Sequence, residues 1–177
     1  MNAFKMLTGS AKRIGLAGLA ALLLSACVSE TTETPSFYRS MARVDAAVDQ
    51  QTAAQMISQY RANSGLGPVT VDPALTAIAL SQARAMAKAG DVRASLPKAQ
   101  QLETRMASIG EPGTYAVENV SGGYRTLAEA FSGWRDSPKH NKVMLDDKAT
   151  RLGIATAYAP NAKHKVFWSL VMAGPKP

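Results

Sequence analysis

Apolar residues in this 177-residue chain recur at spacings of three and four over most of its length, and then, near the C-terminus, at a spacing of two. Leu152, Ile154, Thr156 and Tyr158 alternate with small or polar neighbours, as do Val166, Trp168, Leu170 and Met172. Pro160, Asn161 and Ala162 punctuate the two runs, which predicts an antiparallel hairpin. A further strand is expected near Tyr115 to Val120. Helices first and a hairpin last define an α+β domain.

Several helices are legible upstream. Val44 to Asn63 carries Ala47, Val48, Ala54, Ile57 and Tyr60 on one face, with Gly65 as its stop. Asp72-Pro73 opens a second helix as N-cap and first-turn proline; Leu75, Ile78, Ala79, Ala83 and Met86 form its stripe, and Gly90 ends it. Gln100 to Ile109 places Leu102, Met106 and Ile109 on one side. Thr126-Leu127-Ala128-Glu129 has the spacing of a capping box, so a helix should run from Leu127 to about Arg135. Ser137-Pro138 predicts another cap, with His140 near a helix N-terminus. Trp134 and Trp168 fall on apolar periods and are expected in the core; the alternative is that one lines a ligand groove.

The first 26 residues have the form of an export signal. Lys5, Lys12 and Arg13 precede an apolar run from Ile14 to Leu24, too short to span a bilayer, where about 20 residues are needed. Leu24-Ser25-Ala26-Cys27 resembles a bacterial lipobox, which implies lipid on Cys27 and cleavage before it. Each buried CH2 of such an anchor contributes about 0.8 kcal/mol. Val28 in place of aspartate leans toward the outer membrane of a Gram-negative type cell. Residues 27–43, polar and rich in Ser and Thr, read as the lipidated Cys and a flexible tether, and residues 44–177 as the domain. Cys27 is the only cysteine, so no internal disulfide forms and core burial alone must hold the domain. Removing the signal lowers the net charge from +7 to +4, with 17 basic and 13 acidic side chains left. No basic stripe or motif accompanies that charge, so nucleic acid is not an expected partner.

Two blocks carry a family resemblance. Tyr60-Arg61-Ala62-Asn63, Gly65-Leu66 and Val71-Asp72-Pro73-Ala74-Leu75 form the first. The second runs from Glu118-Asn119-Val120-Ser121-Gly122-Gly123 through Trp134 to Ser137-Pro138-Lys139-His140. In this order they resemble the bacterial branch of the CAP superfamily, which comprises cysteine-rich secretory proteins, antigen 5 and pathogenesis-related proteins. There "G-E-N-I-A-x-G" precedes "W-x-x-S-P-G-H-R". The resemblance implies an α-β-α sandwich and a cleft across which Glu118 and His140 face each other, with Asn119 beside them.

Each residue has a plainer alternative: Glu118 on the solvent face of a strand, His140 in a polar surface turn. The family's metal pattern implies a further histidine after the second helix, where this chain reads Val92-Arg93-Ala94-Ser95. Val117 also replaces the glycine before the glutamate. Glu118 and His140 are two candidate ligands where zinc needs three or four. His164, on the hairpin loop, is expected in solvent. No cofactor is therefore expected beyond a weakly held divalent ion. The pattern G-x-S-x-G is missing, Ser137 is better explained as a cap, and Ser121-Gly122-Gly123 as a tight turn than as an anion cradle. The expectation is an envelope-anchored, non-catalytic binding module for a lipid, cell-wall or protein ligand. The alternatives are a peptide or ester hydrolase using Glu118 and His140, or a structural lipoprotein with a decayed cleft.

Overall fold

The computed structural model describes residues 33–176. The expected export signal and Cys27 lie outside the described residues. Helix α1 spans Gln50–Ala62, strand β1 Thr70–Val71, α2 Pro73–Ala89 and α3 Leu102–Ser108. Strand β2 covers Ala116–Gly122, α4 Leu127–Asp136, α5 Pro138–Met144, β3 Arg151–Tyr158 and β4 Val166–Ala173. The sheet order is β1-β3-β4-β2; β1 runs parallel to β3, and the other two pairings are antiparallel. The hairpin predicted from alternation is β3–β4, and the strand expected near Tyr115 is β2.

Alternation along the strands divides the core into two layers. Leu152, Ile154, Trp168, Leu170 and Met172 pack on one face with residues of α1, α4 and α5. Ala155, Val171 and Ala173 pack on the other with Leu75, Ile78 and Ala79 of α2 and Met106 of α3. Helices cover both faces, so the domain is an α-β-α sandwich. Trp134 and Trp168 are both buried and meet edge to face, with ring centroids 6.1 Å apart. Their indole N–H groups donate to Ser121 Oγ and to the Tyr124 carbonyl, which lets both rings be core without a polar cost.

Local chemistry sets the helix ends. Asp72 accepts from the N–H groups of Ala74 and Leu75, Pro73 occupies the first turn, and Gly90 at φ 69° closes α2 in the left-handed region. Thr126 Oγ1 accepts from the Glu129 N–H, while the Glu129 carboxylate reaches the Arg125 N–H, one residue further back than a standard capping box. Helix α1 starts later than its period suggests. Asp49 caps it through the Thr52 N–H, while Asp45 sits at φ 60° and Val44 is exposed. Ser137 makes no side-chain cap, so Pro138 alone sets the start of α5.

The domain also begins earlier than the tether reading allows. Met41 is 4% exposed, packs in the larger core layer, and donates its N–H to the Arg125 carbonyl at 2.7 Å. The compact unit that holds the sheet starts at Thr34. Short polar segments hide such an anchor, because one buried methionine leaves no period to read.

Candidate functional site

Glu118 lies on β2, opposite Val171 of β4. Its neighbours Val117 and Asn119 point to the α1–α4–α5 face, so Glu118 itself faces α3. There the Arg105 guanidinium donates Nη2 to Glu118 Oε2 at 2.5 Å. Arg105 is 4% exposed. Its Nε donates to the Gln100 carbonyl at 3.0 Å and its Nη1 reaches the Ile78 carbonyl at 3.5 Å. Burial pushes the Glu118 carboxyl above its ordinary value, and Arg105 only partly offsets it.

A pocket of about 420 Å³ opens over this pair. Glu118, Thr114, Leu96, Leu102 and Met106 line it. Glu118 Oε1 has no partner among the described residues, and the buried Thr114 Oγ1 of the same lining also lacks one. A carboxylate oxygen left free above this ion pair suits a ligand that brings N–H or O–H donors.

His140 belongs to the opposite face. Asn119, 1% exposed, donates its Nδ2 to the His140 carbonyl at 2.9 Å and so ties α5 to β2. The His140 ring is half-buried, with Nδ1 buried and unpartnered. Burial, and then the Lys139 charge, lower its pKa and favour the neutral imidazole. Next to it, Tyr60 Oη donates to Asn141 Oδ1 and stacks edge to face on Phe131.

Glu118 is thus engaged by Arg105, and His140 is held through its main-chain carbonyl by Asn119. No hydrogen bond or ion pair joins them, and consecutive strand positions put Glu118 and the His140-bound Asn119 on opposite faces. No group of three His, Cys, Asp or Glu side chains suited to a metal occurs among the described residues.

His164 is also placed differently from expectation. Its ring is half-buried against Gly122 and Gly123, and it meets Phe167 edge to face. Gly123 adopts φ 111° and donates its N–H to the Val166 carbonyl, so this segment extends the sheet pairing instead of cradling an anion.

Sequence reading overlooked Arg105, although a signal was present. It falls on the buried stripe of Leu102, Met106 and Ile109, and a charge at an apolar register position calls for a buried partner. A second ion network was also missed. Arg151, 8% exposed, donates to Asp72 at 2.6 Å and to Glu111 at 2.7 Å. It joins the α2 cap to the start of β3.

A sandwich of this topology, with the Glu-Asn pair on its edge strand and the Trp-to-His segment in the helices that follow, defines a CAP-type domain. The family model for the cysteine-rich secretory protein family, CAP, matches residues 54–172, and the chain belongs to that family. Comparison with curated proteins gives no match. Among solved structures, the chain is similar to an extracellular SCP-domain protein from Bacillus anthracis str. Ames. The identity is 20% and the TM-score 0.60, over 71% of this chain and 40% of that one. An outer surface protein of Borrelia burgdorferi matches at 14% identity and TM-score 0.62, over 74% and 98% of the two chains. A cysteine-rich secretory protein from Staphylococcus aureus subsp. aureus Mu50 matches at 16% and 0.55, over 75% and 41%. This chain thus spans less than half of the first and third relatives, and such low identities speak to the fold alone. No helix among the described residues is long and apolar enough to cross a membrane.

Proposed function

We propose that the protein is an envelope-anchored CAP-domain lipoprotein that acts as a non-catalytic binding module, with the pocket over Glu118 as its recognition surface. The observation that supports this most directly is the free Oε1 of Glu118, whose other oxygen accepts from the buried Arg105 guanidinium. A carboxylate clamped in this way is fixed in position, which serves recognition of a donor group on a lipid, cell-wall or protein ligand. Anchoring through Cys27 at the outer membrane would keep the pocket close to such ligands.

The test uses the full chain in neutral detergent, with purified sacculi and envelope-phospholipid vesicles as probes. Wild type is expected to bind one of the two, and Glu118→Gln to bind it about tenfold more weakly, as loss of one charged hydrogen bond predicts. Equal binding by both proteins would remove the pocket as the working surface. Metabolic labelling with a fatty-acid analogue should mark wild type and not Cys27→Ala.

The raised pKa of Glu118 favours a second reading, hydrolysis with Glu118 as general base. Turnover of peptide or ester substrates that Glu118→Gln abolishes would establish it in place of the first. If neither binding nor turnover is found, a structural lipoprotein remains.

A further inference from the structure

A larger groove than the one over Glu118 lies on the free edge of β3. Strand β1 pairs with β3 only at Arg151 and Leu152. Beyond that point Gln50 takes the place of a strand. Its side-chain Nε2 donates to the Ile154 carbonyl at 2.6 Å, and its Oε1 accepts the Ile154 N–H at 3.3 Å. Thr150 and Leu152 accept from the N–H groups of Thr70 and Asp72 on this same edge. Even-numbered residues of β3 therefore present their main-chain groups outward, and the next are Thr156 and Tyr158. Those groups have no partner on this edge among the described residues.

A groove of about 1110 Å³ covers this stretch. One wall is the segment before α1, with Arg43, Val44 and Asp45; the other is the C-terminal half of α2, with Leu80, Arg84 and Lys88. Arg43, Arg84 and Lys88 are exposed and form no ion pair among the described residues, while Asp45 is the single acid in the lining. Lys88 near the end of α2 also suits the helix dipole, but Arg84 lies a turn earlier, outside that account. Unpaired strand edges are normally blunted, here by Gln50 at Ile154; past it the protection stops and a cationic slot begins.

We propose that this slot takes a short acidic peptide segment in extended form, added to the sheet beside Thr156 and Tyr158. Main-chain hydrogen bonds to those two residues would supply register, and Arg43, Arg84 and Lys88 would select carboxylate side chains. At about 3.3 Å per residue the open edge matches four or five residues of peptide.

A fluorescein-labelled peptide of alternating Glu and Val, and its Lys-Val counterpart, are the probes, with the full chain in neutral detergent. Fluorescence anisotropy should show binding of the acidic peptide only. The exposed double variant Arg84→Glu/Lys88→Glu should weaken it about tenfold, as two charge pairs predict. Exchange of the Thr156 and Tyr158 amides should slow when the acidic peptide is present. Equal binding of both peptides, no binding of either, an unaffected double variant, or slowed amides elsewhere would each overturn the proposal. So would competition by anionic vesicles that leaves the two amides exchanging freely, since the cations would then serve a lipid surface.

Discussion

Arg105 directs each of its three nitrogens to a different element: the turn before α3, the helix α2, and Glu118 on β2. Arg105→Met would leave the Glu118 carboxylate buried without a counter-charge. A loss of about 3–5 kcal/mol at neutral pH is expected by urea unfolding. The sign with pH follows from Glu118. Its pKa is raised by burial and rises further without Arg105. A raised carboxyl favours folding below its ordinary value of 4.5 and loses that contribution as pH rises through the folded value. The deficit of Arg105→Met should therefore be smallest in mild acid and widen toward neutrality. Asp72 works in the opposite direction. Burial alone would raise its pKa, but hydrogen bonds from Arg151, the N–H groups of Ala74 and Leu75, and Lys176 outweigh it and hold it below 3.8. Its contribution is full above 3.8 and fades as pH falls through the lower folded value. Asp72→Asn should cost about 3 kcal/mol at pH 7, and the gap from wild type should close in strong acid. Chemical unfolding across a pH series checks both residues.

At the scale of elements, α2 lies closest to β3 where the strand has no side chain. A Cβ on Gly153 would overlap the main chain of Leu75 and Thr76, so helix and strand could not keep their contact. Gly153→Ala is expected to cost upward of about 2 kcal/mol, because backbone on the far side cannot yield as a side chain would. Thermal unfolding measures it, and an unchanged midpoint would show that α2 can slide. Helix α2 itself was fully legible, since Asp72, Pro73 and Gly90 mark its ends independently of its stripe. Helix α1 was not. Val44 and Ala47 continue its spacing, but the side chain of Asp49 captures the Thr52 N–H and starts the helix there. Strand β1, only two residues long, carries no alternation and exists because β3 offers an edge to pair with.

Across the whole molecule, residues from Thr34 onward behave as one unit, which the buried Met41 ties down before the first helix. Met41→Ala should lower the stability of the entire domain by about 2–4 kcal/mol in a single cooperative urea transition. No effect would mean that this segment is a tether after all. The amino-acid order by itself determined the α+β class, the β3–β4 hairpin, the ends of α2 and α4, the core role of both tryptophans, and the family to which the two motif blocks belong. These are local or periodic properties, written in spacing and in cap and turn chemistry. Only the tertiary structure decided which side chains meet. The motifs place Glu118 and His140 in order along the chain but say nothing of the sheet between them. The period of two sends Glu118 to Arg105 and Asn119 to His140, because neighbours on a strand face opposite ways.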